Sequence, residues 1–320
     1  MAPTLTILDD YQNAALDLAD WSPLRERYEI DVVDEHLEGD ALVERLAGSR
    51  VVVAMRERTA FPEAILLRLP ELRLLVTTGM ANAAIDLEAA ARLGIAVSGT
   101  TGSGREVAEL TLGVMISLAR HITVEDRSMH EGGWQTTLGT ALAGKTLGLV
   151  GLGKQGALVA ELARAFRMRI VAWSPHLTPE RAAEHGAEAV TKEALFETSD
   201  FVSIHVPLTE STRWLVGAEE LAVMKESAYL VNTSRGPVVD TEALLMALMV
   251  DTIAGAALDV YDVEPLPADD PLRKLDNVLL IPHLGYVTRE VYAVFYGEAV
   301  EDVLAFDAGE ELRSLVPSAG

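Results

Sequence analysis

Short runs of β-branched and other apolar residues alternate along the chain with longer stretches of helical period, the pattern of βαβ units closing a parallel sheet. In the first hundred residues, segments 5–8, 30–33, 50–54, 72–77 and 95–97 predict five strands separated by helices. Pro62 at one helix start and Gly94 just beyond one helix end fit the usual asymmetry of helix termini. The run of small residues 99–104 then interrupts the alternation. Within it, Ser103 and Glu106 have the spacing of a capping box, opening a long helix that continues to about Arg120. A second series of strands follows at 146–150, 169–173, 201–205, 229–232, 255–259 and 278–281. Beyond Val287 a helical stretch runs towards Arg313, and its many apolar positions need a partner surface, for which the first domain is the expected one.

Composition narrows the class. The chain has 320 residues, 49 Asp and Glu against 26 Lys and Arg, a net charge of −23 and no Cys. That length exceeds what one hydrophobic core usually serves, so two domains are expected. The acidic excess repels phosphate backbones and anionic lipid, which argues against nucleic-acid and membrane partners. The N-terminus has no basic region and meets Asp9 and Asp10 too early for a signal-peptide core, and no apolar run has the length of a membrane span, so a cytoplasmic protein is expected. Without thiolates, chemistry must come from His, carboxylates, hydroxyls, Arg or a bound cofactor, and no metal centre is expected.

The strongest local signal follows the strand at 146–150. Gly151-Leu-Gly153-Lys154-Gln155-Gly156 opens an apolar helical segment, 157–166. The three glycines have separate tasks: a tight turn, close approach of backbone to a pyrophosphate, and close packing of helix on strand. Unpaired N–H groups of the helix N-terminus then face the phosphates. In the NAD form of this fingerprint a carboxylate about 20 residues on binds the ribose 2′-hydroxyl. Here the end of the next strand carries Ser174, with His176 following and Arg181 further on, so the cofactor is NAD or NADP.

Ligands of open α/β sheets lie outside the carboxyl ends of the strands. Reading those ends in order gives Ser174, then His205 with Pro207, then Asn232-Thr233-Ser234-Arg235-Gly236, then Asp259, Glu264 and His283. This set supplies a cation, carboxylates and an imidazole next to a dinucleotide loop, as hydride transfer to a carbonyl requires. A guanidinium at Arg235 can grip a carboxylate by two hydrogen bonds while polarising the adjacent carbonyl. An imidazole at His283 suits proton exchange near neutral pH, and Glu264 can orient it. His205 competes for the proton role but follows a strand nearer the dinucleotide half. The remaining histidines, His36, His121, His130, His176 and His185, fall in predicted helices or turns.

Taken together, 132–134 (Gly-Gly-Trp), 142–156, His205-Val-Pro-Leu-Thr209, Asn232-Thr-Ser-Arg-Gly236, Leu258-Asp-Val260 with Glu264-Pro265, and Pro282-His-Leu-Gly285 resemble the D-isomer-specific 2-hydroxyacid dehydrogenases over nearly the whole chain. The resemblance implies an α/β protein with two Rossmann-like or flavodoxin-like parallel-sheet domains and an interdomain active-site cleft. Its dinucleotide domain, 100–287, would be inserted into a discontinuous substrate domain, 1–99 with 288–320. It implies a catalytic set of Arg235, Glu264 and His283, and cofactor contacts at the Gly151 to Gly156 loop, Ser174, His176, His205, Pro207, Thr212, Thr233, Ser234, Asp259 and Gly285. Substrate contacts fall at Arg56, Thr78, Gly79 and Met80, the carboxylate being held largely by backbone N–H groups, with Tyr286 lining the pocket. Arg56 and Arg58 suit a phosphate or second carboxylate on the substrate, or are surface charges. The implied reaction is reversible reduction of a small anionic 2-oxo acid by NAD(P)H, in a homodimer joined through the helix near Val107 to Arg120. Two other readings use the same fold: a non-catalytic dinucleotide sensor or corepressor, and a formate- or phosphite-type dehydrogenase. Formate-type enzymes usually pair their His with Gln, whereas position 264 is Glu.

Overall fold

The computed structural model describes residues 2–102 and 104–315. The chain divides into two compact units, Met1–Ser103 with Thr288–Gly320, and Gly104–Val287. In the first unit, strands β1 (Thr4–Ile7), β2 (Glu29–Val32), β3 (Ser49–Ala54), β4 (Leu74–Thr77) and β5 (Ala96–Gly99) form one parallel sheet in the order β2-β1-β3-β4-β5. This is the flavodoxin-like arrangement, and helices on both faces leave the central strands almost wholly apolar and buried. Val51, Val52, Leu74, Leu75 and Val76 have no more than 1% of their surface exposed or none.

The second unit builds β6 (Thr146–Val150), β7 (Arg169–Trp173), β8 (Glu188–Ala189), β9 (Phe201–Ile204), β10 (Tyr229–Asn232), β11 (Gly255–Leu258) and β12 (Val278–Leu280) into a seven-stranded sheet ordered β12-β11-β10-β9-β6-β7-β8. Every pairing is parallel. The order reverses between β6 and β9, the crevice at which a dinucleotide fold takes its ligand. The strands predicted from the apolar runs are present, with ends displaced by a residue or two. Strand β8 has no counterpart among them, because a two-residue strand is too short to show alternation.

Ser103, proposed as a helix cap, lies outside the described residues. The helix that follows spans Arg105–Arg120 and begins at Gly104, whose φ of +74° needs a residue without Cβ. Its apolar face packs on the helix Lys154–Ala165 inside the second unit.

The C-terminal helix is shorter than predicted. It spans Arg289–Ala308 and stops at Gly309, whose left-handed conformation (φ +69°) turns the chain away from the helix axis. Its buried residues Tyr292, Phe295 and Tyr296 pack within the first unit, Tyr296 against Trp21 with ring centroids 6.2 Å apart. Tyr28 Oη donates to Asp307 at 2.7 Å. The chain then returns along β5, where Gly99 N donates to Arg313 O at 3.0 Å and Leu315 N to Val97 O at 3.0 Å. Among the described residues no single helix is long and apolar enough to cross a membrane; the bent pair Arg105–Arg120 and Ile122–His130 passes by length and composition only, and Leu112, Val114, Met115 and Leu118 of the first are buried in the core.

Candidate active site

The dinucleotide loop is shaped by its three glycines in three different ways. Gly151 leaves β6 at φ +97°, and a Cβ there would come within 2.6 Å of His205 O. A Cβ on Gly156 would sit 2.2 Å from Gly151 O, so only glycine lets the helix Lys154–Ala165 seat against the turn. Gly153, the N-terminal cap of that helix, has nothing within 4 Å of the Cβ position. The backbone is therefore open where a pyrophosphate approaches, and the first N–H groups of a twelve-residue helix stand behind it. Lys154 and Gln155 form the first helical turn. Gln155 Oε1 is buried without a hydrogen-bond partner among the described residues, an acceptor left over in a loop built for a polar ligand. These features fit a dinucleotide.

At the end of β7, Ser174 is half-buried and His176 exposed, with no carboxylate directly following the strand. At the end of β9, His205 Nε2 lies 2.9 Å from Ser203 Oγ, and burial lowers its pKa to about 4. Near neutral pH this imidazole is uncharged and hydrogen-bonded inward. Pro207 is exposed, and its carbonyl accepts from Thr212 Oγ1 at 2.6 Å. Thr212 also receives Thr209 N at 2.8 Å, so its hydroxyl fastens the loop.

The end of β10 is fixed by side chains bonding to backbone. Thr233 Oγ1 meets Thr111 Oγ1 at 3.0 Å, and Ser234 Oγ donates to Val206 O. Asn232 Nδ2 donates to Arg235 O at 3.0 Å while its Oδ1 accepts Ser234 N at 3.1 Å, clamping the turn from both sides. Arg235 is half-buried in extended backbone (φ −145°), and its Nη1 donates to Ser234 O at 2.8 Å. Gly236 must be glycine, since a Cβ would stand 2.1 Å from the carbonyl carbon of Tyr261. The Arg235 turn and the 259–264 segment are thus in backbone contact.

Glu264 and His283 form the central pair. Glu264 Oε2 lies 2.6 Å from His283 Nδ1, while Oε1 accepts Tyr261 N at 2.9 Å. A carboxylate on Nδ1 assigns the proton to that nitrogen and leaves Nε2 for a reacting oxygen. His283 has φ +52°, a left-handed conformation unusual for a residue with a Cβ, of the kind that concentrates at functional sites. The ring of Tyr286 meets the imidazole edge-on with centroids 5.4 Å apart.

Asp259 is 1% exposed and accepts Leu284 N at 2.5 Å and Gly285 N at 3.0 Å. Burial raises its pKa to about 6, against the two N–H bonds and the His283 charge, which lower it. Asp259 and Gly285, expected beside the cofactor, are joined to each other, and the Asp259 carboxylate fixes the loop after His283. A folded-state value above the unfolded one means that the native protein holds an extra proton between about pH 4 and 6. Stability from this group is present at the acid end of that window and lost as the pH rises through it. Asp259→Asn is therefore expected to gain thermal stability relative to the parent as pH goes from about 4 to about 6, measured by paired melting curves.

The substrate-side candidates of the first unit differ among themselves. Thr78 is fully buried, its Oγ1 accepting Arg56 N at 2.9 Å and facing Met55 Sδ. Gly79 N donates to Thr100 Oγ1 at 2.9 Å. Both groups have partners inside the protein. Arg56 Nη1 reaches Thr78 O at 3.4 Å and lies over Gly79, whose φ of +95° favours glycine. Met80 is 49% exposed. Arg58 is not a plain surface charge: its Nη1 donates to Asp9 O at 3.0 Å and its guanidinium lies 4.7 Å from the Tyr11 ring centroid. Sequence reasoning missed Thr111 and Tyr261. An aromatic hydroxyl between Asp259 and Glu264 was the available signal for Tyr261.

Residues 112–285 match the family model described as D-isomer specific 2-hydroxyacid dehydrogenase, NAD binding domain. The chain is 38% identical over 301 residues to a glyoxylate reductase of Korarchaeum cryptofilum, covering 89% of this chain and 91% of that protein. It is 39% identical over 297 residues to a hydroxypyruvate reductase of Thermotoga maritima, covering 91% and 95%. Among solved structures, a putative D-3-phosphoglycerate dehydrogenase from Ralstonia solanacearum superposes with a TM-score of 0.93 at 34% identity, covering 99% of this chain and 97% of that one. The chain belongs to the D-isomer-specific 2-hydroxyacid dehydrogenase family, and the NAD-binding domain of that family lies within its second unit.

Proposed function

We propose that this protein reduces a small 2-oxo acid to the D-2-hydroxy acid, reversibly, with Arg235, Glu264 and His283 as its catalytic set. The observation that carries the reading is the 2.6 Å pair of Glu264 with His283, on a loop whose backbone is fixed by Asp259. Bound NADH supplies the hydride. Arg235 binds the substrate carboxylate and draws electron density from the carbonyl oxygen, so that negative charge developing there meets a cation. His283 Nε2 gives that oxygen its proton, and Glu264 on Nδ1 stabilises the charged imidazole before transfer. In oxidation the neutral imidazole takes the proton back. Arg56, Thr78, Gly79 and Met80 of the first unit are the proposed substrate-side residues, with Tyr286 at the loop carrying His283.

Ser174 in place of a carboxylate leaves no negative charge to repel a 2′-phosphate, so we propose that NADPH serves besides NADH. Following oxidation of each separately with glyoxylate, hydroxypyruvate, longer 2-oxo acids and phenylpyruvate tests both points. Activity with at least one acid is expected, and faster reduction at lower pH, since the reaction consumes a proton. No turnover of any acid with either cofactor rejects the reading and returns weight to a dinucleotide sensor. Glu rather than Gln at 264 speaks against the formate-type alternative.

The same reading places the protein in the cytoplasm as a homodimer. Most apolar residues of the helix Arg105–Arg120 are buried within the chain itself. Exposed apolar surface lies instead on the helix Ile122–His130, which buries no residue, and on the segment after it, where Trp134 is 73% and Leu138 94% exposed. A second copy is the proposed cover. Sedimentation is expected to give twice the chain mass, and Leu138→Glu to shift it towards the monomer.

A further inference from the structure

We infer that Tyr261 is a positioning residue for the Glu264–His283 pair, joining through one side chain and one amide the three segments on which that pair depends. The inference rests on the catalytic reading above and extends it to a residue outside the proposed set.

Tyr261 Oη lies 2.9 Å from Leu258 O and 3.0 Å from Ile281 O. Leu258 ends β11 and Ile281 follows the last residue of β12, so one hydroxyl spans the ends of two adjacent strands. The two carbonyls are not otherwise idle: Ile281 N donates to Leu258 O at 2.9 Å, and His283 N donates to Ile281 O at 3.1 Å. The latter bond closes a three-residue turn around Pro282 and delivers His283 in its left-handed conformation. Tyr261 therefore grips the same carbonyl oxygen that fixes the His283 backbone. Its own N–H holds Glu264 Oε1 at 2.9 Å, leaving Oε2 for the imidazole.

Both partners of the pair are thus referred to a single residue, Glu264 through the amide and His283 through the phenol. The carbonyl carbon of Tyr261 also abuts Gly236, next to Arg235. Burial keeps the phenol well above its ordinary titration range, so it remains a donor throughout the working pH. Asp259 holds Leu284 and Gly285, the residues after His283, whereas Tyr261 holds the turn before it. A phenylalanine at 261 would keep the ring and the amide and lose only the hydroxyl's ties to Leu258 O and Ile281 O.

The test compares Tyr261→Phe with His283→Ala in the full-length protein. For Tyr261→Phe, kcat for 2-oxo acid reduction is expected to fall by about tenfold, less than the roughly 10²-fold that a full 1 Å misplacement can cost. The alkaline limb of the rate profile is expected to move to lower pH, and amide exchange across 281–285 to quicken. The Kd for NADH and the melting temperature are expected to stay near those of the parent. An unchanged kcat and pH profile overturns the inference. So does a uniform loss of melting temperature, cofactor binding and rate, which would make Tyr261 a structural residue only. If His283→Ala keeps parental turnover, the catalytic reading itself fails; if it is inactive while Tyr261→Phe behaves like the parent, only the positioning role does.

Discussion

His283→Ala is expected to lower the rate of 2-oxo acid reduction by about 10²–10⁴-fold, the range associated with loss of a positioned proton donor. The loss should fall on kcat, because the side chain acts when the carbonyl oxygen takes up charge and contributes little to holding the acid beforehand. Cofactor binding, followed by NADH fluorescence, should remain, since the Gly151 to Gly156 loop lies at the end of a different strand from the His283 turn. Glu264→Gln is the informative companion. It can offer its single oxygen to Nδ1 or to Tyr261 N but not to both, and it removes the charge, so its loss should grow as the pH rises. Parental turnover in His283→Ala, with the fold intact, would falsify the assignment of the proton donor.

The second large effect separates two glycines that the motif alone treats alike. Gly153→Ala meets nothing within 4 Å and asks for no unusual backbone, φ being −84°. Its melting temperature without cofactor should match that of the parent. The added methyl occupies the face on which the pyrophosphate would lie, and NADH affinity should fall on the order of tenfold, or 1.4 kcal/mol. Gly156→Ala places its Cβ 2.2 Å from Gly151 O, and that oxygen belongs to a backbone turn that cannot rotate away. Overpacking of this kind costs roughly 1–3 kcal/mol, which lowers the melting temperature by roughly 2–4 °C for each kcal/mol in a domain of this size. If Gly153→Ala melted early and bound NADH normally, the division of labour within the loop would be wrong.

The fold was legible because parallel strands buried on both faces must be apolar throughout, and β6, β7 and β10 stand where their runs of Leu, Ile and Val predict them, residue for residue. Strand β8 was not legible, being held by two residues whose place is set by the neighbouring strand β7. The C-terminal helix was overextended by five residues (313 against 308), since apolar periodicity does not register that Gly309 can turn the chain or that Arg313 has carboxylates to meet at Glu301 and Asp302.

At the site, residue types at strand ends were enough to single out Arg235, Glu264 and His283 as candidates, because strand ends converge on one edge of a sheet. What the spacing could not carry was the direction of each polar group. Thr78 and Gly79 follow β4, but nothing in the spacing tells that Thr78 Oγ1 accepts Arg56 N or that Gly79 N donates to Thr100 Oγ1. Asp259 likewise accepts two loop amides that no spacing could have indicated. Local sequence says which hydrogen-bonding groups are present, and only the assembled fold says which are already taken.

The helix Arg289–Ala308 contributes Tyr296, among the largest fully buried side chains of the protein, to a unit that otherwise begins at the N-terminus. During synthesis the intervening Gly104–Val287 segment is therefore complete before the ribosome has made the last wall of the unit that starts the chain. Domains generally fold as units in the order they emerge, but here the first unit lacks one of its walls until the second has been made. The second unit can close first, while Trp21 and the strand β5 wait, uncovered, for the final residues to arrive.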